Sequence, residues 1–295
     1  MTKEFKRIGL WGRFFDSRVA NPANQITSHL LKRGIEVLAP NSPEADSLEG
    51  AERVAAADLG ARVDLLIAIG GDGNLLRGTR CVAGHDVPLI GINRGRLGFL
   101  TDIMPDQMLT ALDAILAGNY LAEQRLLLSA RIDSDENTSD AMFALNDVVL
   151  QRGDTGRILD FVTTVDGSYV NTHGGDGLIV ATPTGSTAYA LSCGGPIIRP
   201  DVAAIVMVPI APHTLSDRPL VMQSSSLIQI SVERGAEGTA QVTCDGEELG
   251  YLNPGQTLEI RAAAEHVTLL HPNDYNYYEL LRSKLNWGRA NRSDS

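Results

Sequence analysis

The sequence predicts an α/β N-terminal domain with a parallel sheet, followed by an all-β sandwich domain and a short C-terminal tail. Two observations carry this. In the first third, short apolar strands alternate with segments of helical spacing, the signature of βαβ units whose sheet is covered on both faces. From Leu126 to about Leu269 the period changes to two, and turn sequences recur at Asp166-Gly167, Asp245-Gly246 and Asn253-Pro254-Gly255. The change near Asn119 sets the domains at 1–122 and 123–272, with the tail at 273–295.

Each element follows in order. Arg7–Trp11 reads as a strand. A helix after Asn21-Pro22-Ala23-Asn24 carries Ile26, His29 and Leu30 at helical spacing and stops at Gly34. Glu36–Pro40 is a second strand, and the polar stretch 41–60 is a loose connection with a short helix. Asp64–Ile69 is a buried strand that ends on Gly70-Gly71-Asp72-Gly73-Asn74, with a helix from near Asn74 to about Ala83. Pro88–Ile92 is the next strand, and it leads into Asn93–Thr101, a loop with two arginines, Arg94 and Arg96. A helix over Pro105–Leu116 closes the domain. The β-domain strands are expected at 126–132, 142–151, 158–165, 177–182, 204–210, 219–222, 227–233, 239–244, 257–261 and 266–270. One helix interrupts them, Ser186–Cys193, and the tail has Tyr278, Leu281 and Leu285 at helical spacing.

Composition narrows the function. At 295 residues, 43% hydrophobic and 21% charged, the chain reads as a soluble globular protein with no membrane span. Its net charge of −11 and the lack of a basic cluster argue against polymeric nucleic acid as a partner. Three distant cysteines, Cys81, Cys193 and Cys244, and an N-terminus without a signal-peptide core point to the cytoplasm. The six histidines lack zinc-ligand spacing, so no protein metal-ligand set is assigned. No Gly-Lys-Ser/Thr loop, dinucleotide fingerprint or Gly-x-Ser-x-Gly elbow is present.

Three stretches carry chemistry. Gly70, Gly71, Gly73 and Asn74 form a turn whose backbone N–H groups, at a helix N-terminus, suit a phosphate; the plainer reading is a tight βα turn. Asp72 does not bind phosphate, so it orients a hydroxyl, accepts its proton or sits near a metal ion. Asn146-Asp147 is a polar pair in an apolar strand, which on its own reads as a strand-end turn. In Thr182-Pro183-Thr184-Gly185-Ser186-Thr187-Ala188-Tyr189, Ser186 is placed to cap a helix that faces a ligand, and Thr187 and Tyr189 add hydroxyls.

Together these stretches, with Gly91–Thr101, Asp176–Tyr189 and Pro212–Val221, resemble in order the motifs of the bacterial NAD kinase family. The Gly-Gly-Asp-Gly turn is shared with phosphofructokinases and lipid kinases; the Thr-Pro-Thr-Gly-Ser-Thr-Ala-Tyr string is far more specific. The resemblance implies transfer of the ATP γ-phosphoryl group to the 2′-hydroxyl of the adenosine ribose of NAD, giving NADP. It implies a divalent metal, usually magnesium, a homo-oligomer (dimer or tetramer), and a tail that returns to the first domain. Position by position, it makes Asp72 the catalytic proton acceptor. It makes Asp72, Gly73, Asn146, Asp147, Arg157, Gly174, Asp176, Thr187, Ala188, Tyr189, Ala190, Leu191, Ser192 and Glu247 the NAD-binding positions. The family commonly has Glu at Asp147, a basic or polar residue before Asp176 where Gly174-Gly175 stands, and Gln at Glu247. The alternatives are another kinase with the same glycine turn, or a non-catalytic NAD(P) sensor.

Overall fold

The computed structural model describes residues 4–95, 97–133, 138–153, 159–232 and 238–287. The chain forms two compact units: Met1–Glu123 with Thr268–Ser295, and Gln124–Val267.

The first unit contains β1 (Arg7–Gly12), α1 (Ser17–Leu31), β2 (Glu36–Pro40), β3 (Glu52–Val54), α2 (Leu59–Arg62), β4 (Leu65–Ile69), α3 (Asp72–Val82), β5 (Leu89–Ile92) and α4 (Met108–Leu116). Its strands are parallel in the order β5-β4-β1-β2-β3. All five side chains of β4 are buried, as expected of a central strand covered on both faces. The strand order reverses between β1 and β4, so the carboxyl ends of these two strands open a crevice, the usual ligand position in such sheets.

Two helices begin earlier than expected. α1 starts at Ser17 and carries Pro22 inside it, rather than starting after Asn24. Asp16 caps it by accepting from Arg18 N, and buried Val19, Pro22, Ala23, Ile26 and Leu30 pack one face. That packing offsets the helical hydrogen bond that Pro22 cannot donate, a local cost of about 3 kcal/mol. α3 starts at Asp72, not Asn74, which makes the acid a first-turn residue.

The second unit contains β6 (Leu121–Asp133), β7 (Met142–Ala144), β8 (Asp147–Arg152), β9 (Leu159–Val165), β10 (Ser168–Gly175), β11 (Gly177–Ala181), α5 (Tyr189–Ser192), β12 (Ala204–Ile210), β13 (Leu220–Gln223), β14 (Ile228–Val232), β15 (Ala240–Cys244), β16 (Glu247–Leu252) and β17 (Thr257–His271). One sheet has the order β13-β12-β11-β8-β15-β16; facing it are β10-β9-β14-β17, with β6 beside β17 and β7. Leu128, Val148, Phe161, Val180, Met207, Ile230 and Val242 fill the core they share. β11 and β12 are buried along their whole length, because Ala190 and Ile198 cover their other face. The hairpin turns Asp166-Gly167 and Asp245-Gly246 have positive φ at both residues (51° and 76°; 49° and 77°), the geometry that suits strand twist.

Four expectations for this unit are corrected. The 142–151 strand is two, broken at Leu145-Asn146; 257–261 and 266–270 are one strand, β17; the Ser186–Cys193 helix is a 3₁₀ turn, Gly185–Thr187, followed by the single turn α5. β10 and β16 were not expected, and each is an edge strand with half-exposed side chains. The last helix, α6 (Tyr277–Leu285), is capped by Asn276, which accepts from Tyr278 N and Glu279 N; it belongs to the first unit, where Leu269 of β17 also lies beside Leu89 of β5.

Candidate active site

In the first unit the site is built around Asp72. The loop after β5 wraps its carboxylate. Oδ1 accepts from Leu100 N (3.1 Å), Thr101 N (3.1 Å) and Thr101 Oγ1 (3.0 Å), while Oδ2 accepts from Phe99 N (2.8 Å). The wrap is so close that a Cβ at Gly98 would collide with Asp72 Oδ1. Thr101 is fully buried, and Gly98 N donates to its carbonyl at 3.0 Å, which closes the loop. A carboxylate offers about four lone-pair directions. Among the described residues three donors converge on Oδ1 and one on Oδ2, so Oδ2 keeps a lone-pair direction for an incoming hydroxyl.

The glycine turn beside it is open. A Cβ at Gly71 or Gly73 would meet nothing within 4 Å, and Gly73 is exposed. Gly70 approaches the Asn74 side chain closely, and Asn74 Nδ2 donates to Ile69 O at 3.0 Å. Asn74 therefore braces the strand end as well as facing a cavity of about 540 Å³ that Trp11, Arg13, Asn41, Ser42 and Arg77 also line. This cavity lies at the carboxyl ends of β1 and β2. Arg94 is turned aside: with Arg18 it binds Asp16, whose carboxyl is held down to about 2, mainly by the Arg18 hydrogen bonds. Arg96 lies outside the described residues.

In the second unit three of the singled-out stretches meet. Asp245, at the β15–β16 turn, accepts from Leu145 N (2.7 Å), Asn146 N (2.8 Å) and Asp147 N (3.1 Å). Thr182 N donates to Asn146 O at 2.9 Å, and Thr182 Oγ1 donates to Leu145 O at 2.5 Å. Gly185 packs on the Asn146 backbone so closely that a Cβ there would overlap the carbonyl. The break between β7 and β8 is thus held from both sides. Asp147 is 6% exposed; burial first, and the charge of Asp245 second, push its carboxyl from 3.8 to about 7.

Along β11, Thr182 lies at one end and Asp176 at the other. Asp176 pairs with Arg152 at 2.9 Å. Gly174 lies in β10 and its carbonyl accepts from His213 N at 2.9 Å. The Tyr189 hydroxyl accepts from Gln151 Nε2 at 3.1 Å, and Gln151 is opposite Gly177, so α5 reaches back toward the Asp176 end. Thr187 Oγ1 donates to Thr184 O at 3.2 Å; Ala190 is buried, Leu191 half-buried and Ser192 exposed. Glu247 is half-buried at the start of β16, just beyond the Asp245 turn.

Ser186 overturns its expectation. It is fully buried, its hydroxyl donates to Pro183 O (2.6 Å) and accepts from Ile198 N (2.9 Å), and so it staples two loop segments instead of facing a ligand. Arg157 lies outside the described residues. Sequence reasoning missed the roles of Asp245 and Arg152. The Asp-Gly dipeptide signals only a turn, and an arginine at a strand end has no distinctive signature.

A parallel sheet with a Gly-Gly-Asp-Gly turn at a strand end, its acid gripped by backbone amides, defines the class of small-molecule kinases built on that turn. Within the class, the ATP-NAD kinase N-terminal domain matches residues 16–120 and the ATP-NAD kinase C-terminal domain matches residues 145–271. The chain belongs to the ATP-NAD kinase family. It is 43% identical to the NAD kinase of Pseudomonas fluorescens over 287 residues, 97% of each chain, and 43% identical to that of Pseudomonas putida over 294 residues, 99% of each. Its fold matches the crystal structure of yeast NADH kinase complexed with NADH (TM-score 0.91, 24% identity, 99% of this chain and 91% of that one). It also matches an NAD kinase from Archaeoglobus fulgidus in complex with ATP (TM-score 0.72, 24% identity, 95% and 98%).

Proposed function

We infer that this chain is an NAD kinase and that Asp72 accepts the proton of the 2′-hydroxyl of the adenosine ribose as the ATP γ-phosphoryl group is transferred to it. NAD and ATP are the substrates and NADP the product. The observation that carries the mechanism is the lopsided grip on Asp72, which loads Oδ1 with three donors and Oδ2 with one. Phosphoryl transfer depends on positioning and charge stabilisation more than on covalent help. A carboxylate fixed by three amides and a hydroxyl orients the acceptor oxygen and takes its proton as the new P–O bond forms.

The Gly70 amide is taken by Ile92 O, but the open space at Gly71 and Gly73 supports phosphate binding there, and the cavity lined by Arg13, Asn74 and Arg77 supports the nucleotide of ATP. For the dinucleotide, we assign the family positions Gly73, Asn146, Asp147, Gly174, Asp176, Thr187–Ser192 and Glu247, with Arg157 outside the described residues. Among the described residues no cluster of three or more His, Cys, Asp or Glu side chains can hold a metal ion. We propose that magnesium, which keeps its waters and binds mainly to nucleotide phosphates, would enter with ATP. When bound it supplies charge neutralisation on the triphosphate. We further propose a homo-oligomer, dimer or tetramer, checked by light scattering, and a cytoplasmic location, checked by fractionation. Among the described residues no helix is long and apolar enough to cross a membrane.

The decisive experiment is Asp72→Asn. NADP formation falls by a factor of about 10² or more, the loss expected when a positioned base is removed, while calorimetry still detects NAD binding. Full NADP formation in this variant refutes the role of Asp72. Offering NAD, fructose 6-phosphate and diacylglycerol together to the unaltered protein separates an NAD kinase from other kinases that share the turn.

A further inference from the structure

The loop that grips Asp72 continues directly into a second polar assembly. Thr101, whose amide and hydroxyl both reach Asp72, is followed by Asp102. The Asp102 side chain is 9% exposed, and its Oδ2 lies 2.7 Å from His271 Nδ1. A carboxylate only accepts, so Nδ1 carries the proton in this contact. Among the described residues Asp102 Oδ1 accepts nothing. The His271 side chain is 2% exposed, Tyr275 stacks on its face at 4.0 Å, and Glu123 Oε2 lies 3.4 Å from Nε2. The ring is thus fixed on one face by Tyr275 and at Nδ1 by Asp102, with Glu123 near Nε2.

These contacts run in an unbroken line from the C-terminal segment to the acid: Tyr275, His271, Asp102, Thr101, Asp72. The surroundings make the line matter. A cavity of about 330 Å³ separates the loop from the tail helix, lined by Leu97, Asp102, Pro272, Tyr275, Leu280 and Ser283. At that level side-chain packing does not fill the space, so the hydrogen bond from His271 ties the loop to the tail. It also supplies the cation-capable partner of a carboxylate that is almost wholly out of water.

We infer that His271 is a positioning residue for Asp72, acting through Asp102 and the 98–101 loop. The inference rests on Asp72 being the proton acceptor. His271 touches no substrate in this reading. It holds the segment whose three amides and one hydroxyl set the direction of the Asp72 carboxylate.

The test compares steady-state kinetics of His271→Phe and His271→Asn with the unaltered enzyme, with folding checked by circular dichroism. The phenyl ring keeps the stack on Tyr275 but removes the donor, so kcat falls about tenfold, as expected for a displacement of the base below 1 Å. KM for NAD and for ATP stays within about twofold, since binding groups are untouched. The Asn side-chain amide restores an N–H toward Asp102, and kcat recovers to within about threefold of the unaltered enzyme. In an Asp72→Asn background, His271→Phe lowers the residual rate no further, because the residue it positions is gone.

Unchanged kcat in folded His271→Phe overturns the inference. So does an Asn variant as slow as the Phe variant, or a tenfold loss that persists on top of Asp72→Asn. If His271→Phe does not fold, Asp102→Asn/His271→Phe removes the stranded charge as well and carries the same kinetic expectation. Full activity of Asp72→Asn alone overturns the proton-acceptor assignment and this inference with it. Loss in Asp72→Asn beside full activity in His271→Phe overturns this inference alone.

Discussion

Replacing Asp147 with Asn removes the acid furthest from its ordinary range. The native carboxyl titrates near 7 because it is buried and faces the charge of Asp245, whereas in the unfolded chain it titrates near 3.8. Between these values the folded protein holds a proton that the unfolded chain has released. The unfolded state therefore binds fewer protons, and stability falls as pH rises through this window. A displacement of about three pH units, at 1.36 kcal/mol each, is worth about 4 kcal/mol. That stability is fully present below pH 4 and fully lost above pH 7. An Asn at this position resembles the protonated acid and does not titrate. The stability gap between Asp147→Asn and the unaltered protein should thus open with pH, by about 3 kcal/mol between pH 5 and pH 8. Urea-unfolding midpoints of both proteins at pH 5, 6, 7 and 8 measure it. A gap that stays constant or narrows toward pH 8 would refute the burial argument. The same titration bears on the proposed dinucleotide site: protonated, Asp147 can donate a hydrogen bond, and ionised it only accepts. NAD affinity should therefore change between pH 6 and 8 in the unaltered protein and stay flat in Asp147→Asn.

Two further variants probe the two grips separately. Thr101→Val removes one of the three donors on Asp72 Oδ1 and leaves the amides in place; kcat should fall by about ten- to a hundredfold, the worth of one hydrogen bond to a charged group. Asp245→Ala strands the amides of Leu145, Asn146 and Asp147; it should cost about 3 kcal/mol in a urea titration and raise the Kd for NAD measured by calorimetry, while ATP binding is retained.

Much of the architecture could be read from apolar runs, and the limits of that reading have a physical pattern. The central strands β4, β11 and β12 are buried end to end, and continuous apolar sequence reports that directly. The strands that went unread, β3, β10 and β16, are all edge strands. An edge strand has fewer packed neighbours and half-exposed side chains, so its sequence carries little alternation. Asp72 stood out as a candidate because a lone acid in a glycine turn has no structural excuse. The amides of Phe99–Thr101 that aim it were not, because a backbone N–H is present at every residue and sequence cannot mark the ones in use. His271 shows a different limit. Its spacing excluded a metal site, yet its partner Asp102 lies 169 residues away, beyond any local pattern.

Asp72 and Asp245 show how one device serves two ends. Each carboxylate accepts from three consecutive backbone amides, 99–101 in one case and 145–147 in the other. Three such amides act as a small fixed dipole that fits a negative charge. Asp245 spends its grip on structure: it lies in a tight turn with φ of 49° and fastens a break between two strands that would otherwise leave three donors unpaired. Asp72 is held at the first turn of a helix, beside glycines with open space around them, with Oδ2 taking a single amide. Both acids are half-buried, but Asp245 fastens the break between two strands, whereas Asp72 stands between Gly71 and Gly73, whose open surroundings admit the hydroxyl proposed to meet it.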